Sequence, residues 1–234
     1  MLSSPIQDVL FLDIETAPIH AEYNDLEGID KYLWDRSARY IDNDHSEDNH
    51  YQNAKSHAEF ARIVCICVGK IGNDDNGEFL KLRCFYNEDE QKLLLEFNSF
   101  LLKLNNNTKL CAHNGKEFDF PFIGKRMLIN GIELPSILNF TGKNPWEVPH
   151  IDTSELWRFG SVKQIATLEH LAHLFKIESI KNDFEGENSQ KVYYKQNELQ
   201  RIVDYCYNDV ITIAQLLLRF NNQKTIRTEN IYYV

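Results

Sequence analysis

Val9-Leu10-Phe11-Leu12-Asp13-Ile14-Glu15-Thr16 is an apolar run that ends in two acids. A continuous apolar run of this length reads as a strand buried on both faces of a sheet. Alternation along a strand places Asp13 and Glu15 on one face, so two carboxylates leave the core side by side. Holding them away from water is costly unless an opposite charge pairs with them, and the run contains no Lys or Arg. A bound cation is the simplest answer. The plain alternative is a strand whose last residues have already reached solvent, and the rest of the chain has to choose between the two.

Working outward, the tract from Pro18 to about Glu59 is polar and reads as an insertion at about 18–59. Its centre, Asp42-Asn43-Asp44-His45-Ser46-Glu47-Asp48-Asn49-His50, is expected to be solvated. His45, His50 and His57 match no structural metal-site spacing. Tyr32, Leu33, Trp34 and Tyr40 are candidates to cover the edge of a cleft. Beyond the tract, Arg62 to Lys70 is a strand, Asn73 to Gly77 a turn and Phe79 to Phe85 a second strand, which together make a hairpin. Asn87 is expected to cap a helix with the core stripe Leu93, Leu94, Phe97, Leu101 and Leu104. Lys109 to His113 is a short strand that stops at Asn114-Gly115, and Phe118 to Asn130 is a helix with Gly131 near its end. Val148 to Asp152 is another short strand, and Leu168, Leu171, Ala172 and Phe175 mark an amphipathic piece. A last helix runs from about Gln196 to Phe220, its stripe of Ile202, Cys206, Val210, Ile213 and Leu217 facing the core.

This pattern predicts an α/β fold: a mixed sheet with an antiparallel hairpin, parallel where helices connect its strands, and flanking helices. Active sites in such sheets collect where strands end and loops diverge. Asp13, Glu15, His113 and Asn114 all fall at such ends.

With 234 residues, 43% of them hydrophobic, the chain can bury one large core, and a single domain spanning 1–234 is expected. No apolar run approaches membrane-spanning length, and the N-terminus lacks a basic segment followed by an apolar one. A soluble, cytoplasmic protein with no membrane partner is therefore expected. Cys65, Cys67, Cys84, Cys111 and Cys206 form neither a Cys-x-x-Cys pair nor a disulfide-dense pattern and read as reduced core thiols. The formal net charge of -10 argues against a protein that coats nucleic acid by bulk attraction. It leaves room for an enzyme that grips a few nucleotides through metal ions.

Two further acids stand in unusual contexts. Asp119 follows a strand end and is flanked by Phe118, Phe120 and Pro121; by itself it could be an ordinary helix N-terminal acid. Asp209 lies four residues after Tyr205, so phenol and carboxylate share one helix face beside the apolar stripe, as any i,i+4 hydrogen-bonded pair would. Taken together, Asp13, Glu15, Asp119 and Asp209 are four acids from three segments that can converge at strand ends. A two-metal phosphoryl-transfer site requires such a set, with ions about 3.5–4 Å apart. Oxygen ligands suit Mg²⁺ or Mn²⁺, and the want of a His/Cys cluster in the sequence argues against zinc. The chemistry indicated is phosphodiester hydrolysis.

Asp13-Ile14-Glu15-Thr16, Asn114-x-x-x-Phe118-Asp119 and Tyr205-x-x-x-Asp209 resemble the three motifs of the DEDD (DnaQ-like) superfamily of 3′–5′ exonucleases. That superfamily has the RNase H-like fold. The likeness is nearest to the proofreading exonuclease domain of family B DNA polymerases and its free-standing bacterial relatives. It implies that Asp13, Glu15, Asp119 and Asp209 hold two ions and that Tyr205 orients the attacking water. It also places the chain in the tyrosine branch, because the position five residues before the last acid is Asp204 and not His. Thr16, with the backbone beside it, would meet the terminal nucleotide, and Asn114 and Phe118 the strand. Phe60 to Ile66, Asp152 to Trp157 and Lys181 to Gly186 also look like the polymerase relatives, with Asp152 a structural or supporting residue.

Phe118, Trp146, Trp157, Lys116, Arg158 and Lys163 are candidates for stacking and phosphate contacts, with core packing the better reading for both tryptophans. The leading functional expectation is a metal-dependent exonuclease on 3′ ends of single-stranded DNA that releases nucleoside monophosphates. Rivals are a 3′–5′ exoribonuclease, since the same acids can trim RNA, and a module that only binds nucleic acid or a partner. Any DNA polymerase or repair partner would act in trans.

Overall fold

In the computed structural model, strand β1 spans Val9–Pro18, and Val9, Leu10, Phe11 and Leu12 are buried, as their unbroken apolar run requires. The structure describes residues 5–41, 51–75, 77–161, 166–178, 192–196 and 198–234, except for the side chains of 39–41, 195 and 196. His45, His50, Lys163, the stretch 181–186 and the Tyr40 side chain lie outside the described residues.

β1 pairs antiparallel with β2, Ala61–Asp74, and β2 pairs antiparallel with β3, Gly77–Tyr86. On its other edge β1 runs parallel to β4, Lys109–Ala112, which is parallel in turn to β5, Ile151–Asp152. A short strand β6, Ile231–Tyr233, joins the far edge parallel to β3. The order is β5-β4-β1-β2-β3-β6, the mixed α/β sheet with a hairpin that the sequence implied.

Two irregularities place the acids. β4 pairs only with Val9, Leu10 and Phe11, so β1 from Asp13 onward has no strand on that edge. On the opposite edge Glu15 faces Cys65 but Thr16 faces Ile63, so β2 carries one extra residue there, a bulge that bends the strand and re-aims its side chains.

One face of the sheet carries Val9, Phe11, Ala17, Cys65, Cys67 and Leu82 and packs against helix α6, Leu199–Phe220. The other carries Leu10, Leu12, Ile14, Ile66 and Phe85 beneath helices α2, Glu90–Leu101, and α3, Asp119–Ile129. α6 buries Ile202, Cys206, Val210, Ile213 and Leu217, the stripe read from periodicity. Gly69 on β2 lets it approach closely, since a Cβ there would lie 2.8 Å from Val210 Cγ1. Between α2 and α3, Arg126 Nε donates to Glu90 Oε1 at 2.9 Å and its Nη1 to the Ala58 carbonyl at 2.9 Å, and Ile63 N–H donates to Glu90. This buried pair ties both helices to β2 and to the end of the insertion.

Several boundaries differ from expectation. Asp89, not Asn87, caps α2, accepting the N–H groups of Gln91 and Lys92, while Asn87 accepts that of Asp89. Val148 to His150 is not strand. Pro149 has no N–H to give a ladder, and the His150 ring instead accepts the Leu110 N–H at 3.2 Å through Nδ1. The described residues of the polar tract 18–59 are more structured than its polarity suggests. The tract holds helix α1, Gly28–Ile41, a turn at Tyr51–Ser56 and a small core of Tyr23, Leu26, Trp34, Tyr51 and Ala54. Trp34 does not cover a cleft edge: it is 1% exposed, edge-on to Tyr51 and Phe60, while Tyr32 and Leu33 face solvent. The amphipathic piece is helix α5, Leu168–Leu174, and α4, Thr153–Arg158, follows β5. Among the described residues no helix is long and apolar enough to cross a membrane.

Candidate active site

Asp13 and Glu15 emerge from the α6 face of β1, as alternation dictates, and meet Asp209 from α6. One carboxylate oxygen of each lies within 4.8 Å of the others. Asp209 and Tyr205 flank the buried stripe of α6 one turn apart, and the Tyr205 hydroxyl donates a hydrogen bond to the Asp209 carboxylate. Asp119 opens α3 and reaches the unpaired edge of β1, where its Oδ1 accepts the Ile14 N–H at 3.2 Å. Its charge acts on both Asp13 and Glu15. The structure thus brings together all four acids and the tyrosine.

Their crowding shows in their acidity. Burial, then the charges of Asp209, Asp119 and Glu15, holds the Asp13 carboxyl well above the usual range. Glu15 is raised chiefly by burial, with Lys55 opposing. Burial pushes Asp119 up to about 7 against two backbone N–H bonds, and pushes Asp209 up to about 7 against the Tyr205 hydroxyl. The Tyr205 phenol itself is driven upward by burial and the neighbouring acids. Such a set ionises together only when cations enter. An ion about 2.1 Å from each oxygen needs oxygens no more than about 4.2 Å apart, so a group of three carboxylates gathered this closely could hold a divalent cation.

The other sequence candidates fall into place around this centre. The Thr16 hydroxyl, in a residue 5% exposed, donates to the Lys55 carbonyl at 2.7 Å. Asn114 sits in the left-handed region at φ 61, and its side-chain oxygen accepts from Arg158 at 3.3 Å. Phe118 is half-buried against Phe122. Asp152 is a structural hub: it accepts the N–H groups of Asn114 and Lys116 while capping α4 through those of Ser154 and Glu155. Lys116 pairs with Glu155 at 2.6 Å, and Arg158 with Glu117 at 3.4 Å. Trp157 packs on Phe175 and Phe220, as a core tryptophan should. Trp146 overturns the same expectation at 73% exposed, on a surface turn whose sequence carries no apolar period.

Two neighbours of the acids carry no mark in the sequence. Cys206 Sγ donates to Asp13 Oδ2 at 3.3 Å and to the Asp13 carbonyl at 3.4 Å. The cysteines are free, as expected, yet the sulfurs of Cys65, Cys67 and Cys206 lie within 4.8 Å of one another. The sequence shows no such cluster, because its members are separated by up to most of the chain. Burial pushes the Cys67 and Cys206 thiols upward, whereas Cys65, despite its burial, is drawn well below the usual thiol range by hydrogen bonds from Cys206, Cys67 and Cys84. Lys55, from the insertion, is the second neighbour. No local signal marks either residue.

A family model described as a predicted 3′–5′ exonuclease related to the exonuclease domain of PolB matches residues 54–233. The match contains Asp119, Tyr205 and Asp209, while Asp13 and Glu15 precede it. Among solved structures, the family B DNA polymerase from the hyperthermophilic archaeon Pyrobaculum calidifontis is similar, with a TM-score of 0.52 and 16% identity. The similarity covers 92% of this chain and 24% of that one, so the chain spans about a quarter of the polymerase. At that identity the likeness is one of fold. No curated protein sequence matches the chain. A family match over most of the chain, on a fold that gathers the matched acids and tyrosine at one strand end, leads to one assignment: the chain belongs to the family of predicted 3′–5′ exonucleases related to the exonuclease domain of PolB.

Proposed function

We propose that the chain removes nucleotides one at a time from 3′ ends of single-stranded DNA, with Asp13, Glu15, Asp119 and Asp209 holding two Mg²⁺ or Mn²⁺ ions. The observation that carries this reading is the meeting of Asp13, Glu15 and Asp209 oxygens within 4.8 Å, beside Asp119 and under the Tyr205 hydroxyl. Divalent ions held by these carboxylates would lower the pKa of a water nucleophile and stabilise charge on the leaving oxygen. The remaining work belongs to the protein. Asp209 fixes the Tyr205 hydroxyl, which is one turn away and kept protonated by its surroundings, so it can orient a water toward the phosphorus as a hydrogen-bond partner. Ile14 N–H holds Asp119 at the open edge of β1, and Cys206 holds Asp13 from below. The backbone beside Thr16 and the half-buried Phe118 ring are the proposed contacts of the last nucleotides.

Matched DNA and RNA oligonucleotides, labelled at either end, test this reading. With Mg²⁺, 5′-labelled single-stranded DNA is expected to shorten in single-nucleotide steps, and 3′-labelled DNA to release labelled monophosphate at once. Excess chelator is expected to stop both. Faster loss of RNA than DNA would reassign the substrate, and full activity in chelator would remove the metal reading.

A further inference from the structure

The insertion turn Tyr51–Ser56 is clamped to the end of β1 at two points. The Thr16 hydroxyl donates to the Lys55 carbonyl at 2.7 Å, and the Tyr51 hydroxyl meets the backbone N–H and carbonyl of His20. Tyr51 and Ala54 are buried in the small core around Trp34, so the turn is held from behind as well. Lys55 is half-buried on this turn, and the bond from Thr16 to its carbonyl sets it beside the residue that follows Glu15, on whose carboxyl its charge acts. Two divalent ions balance four carboxylates and no more. A phosphodiester arrives with a further negative charge, which grows more concentrated as the nucleophile adds, and a nearby cation is what that charge calls for.

We propose that Lys55, delivered by the insertion, is a substrate-contacting residue whose ammonium meets a non-bridging oxygen of the terminal phosphate. The proposal rests on the exonuclease reading above and gives the 18–59 segment a part in the chemistry, because the segment brings a cation from outside the sheet to the cluster of acids. Lys116, within the second motif, and Arg158, which reaches Asn114, are already paired with Glu155 and Glu117.

The test compares wild type with Lys55→Gln, Lys55→Met and Lys55→Arg. Calorimetry in Ca²⁺ measures binding of thymidine 5′-monophosphate and of thymidine, which differ only in the phosphate. Steady-state cleavage of single-stranded DNA in Mg²⁺ runs in parallel, and thermal melting selects the folded variants. Both neutral variants are expected to weaken monophosphate binding by about tenfold to hundredfold, the usual effect of losing a charged hydrogen-bond partner, with thymidine binding within about twofold. The specificity constant kcat/KM should fall with the monophosphate affinity, and Lys55→Arg should restore most of both. An active wild type with unchanged neutral variants overturns the role of Lys55 and leaves the exonuclease reading standing. Slower cleavage with equal losses for monophosphate and nucleoside also overturns it, because Lys55 then only supports Glu15. A wild type that cleaves no 3′ end, yet binds the monophosphate through Lys55, instead sinks the exonuclease reading.

Discussion

Replacing Tyr205 by Phe removes one hydroxyl and leaves the ring to pack beside the α6 stripe. That hydroxyl is hydrogen-bonded to Asp209, one turn along the same helix face. A hydrogen bond to a charged group contributes about 1.5–3 kcal/mol. If the hydroxyl instead holds the attacking water in the transition state, losing it slows turnover by roughly tenfold to a hundredfold or more, at about 1.4 kcal/mol per decade. Substrate affinity should change little, since the contact is made mainly in the transition state. Asp209→Asn keeps the size of the side chain but removes a carboxylate from the cluster, and nearly abolishes cleavage. Single-turnover and steady-state cleavage of 5′-labelled single-stranded DNA separate the two effects, with thermal melting to confirm the fold. Undiminished turnover in Tyr205→Phe, or a loss confined to KM, would refute the water-orienting role and leave Tyr205 as a packing residue.

The metal-free fold should lose stability as pH rises. Asp119 and Asp209 sit at about 7 in the folded state against a usual value of 3.8, so the folded chain binds more protons between these values. Stability then falls toward pH 7 by up to about 1.4 kcal/mol per unit and group. A melting temperature in chelator that is flat or rising between pH 5 and 7 contradicts this, and Mg²⁺ should remove the slope. Gly69→Ala places a methyl against Val210 and is expected to destabilise by about 1–3 kcal/mol and to displace Asp209, measured by melting and cleavage together. Arg126→Met strands the buried Glu90 carboxylate and should cost about 3–5 kcal/mol in urea denaturation, whereas a cost below about 1 kcal/mol would mean the pair is dispensable.

Features set by short-range periodicity were legible in the sequence. Period two put Asp13 and Glu15 on one face of β1, and spacing four put Tyr205 and Asp209 on one face of α6; both hold in the structure. The cap of α2 falls two residues later than the sequence suggests because Asn87 and Asp89 are both good caps, and only the backbone path selects Asp89. Helix α1 was hidden because, among its described side chains, a largely polar helix buries little besides Trp34, which leaves no apolar stripe to read. β6 is three residues long and exists only because β3 offers it an edge. The approach of Lys55 to Glu15 and of Cys206 to Asp13 depends on which elements pack together, and neither neighbour is near in sequence.

The central claim is that the four carboxylates hold a pair of divalent ions. Mn²⁺ titration followed by electron paramagnetic resonance counts the ions and reports their separation in one measurement. Two Mn²⁺ per chain are expected, magnetically coupled as ions about 3.5–4 Å apart must be, with the coupling lost in Asp13→Asn and Asp209→Asn. A single uncoupled ion in the wild type, or a coupled pair that survives both substitutions together, would contradict the account.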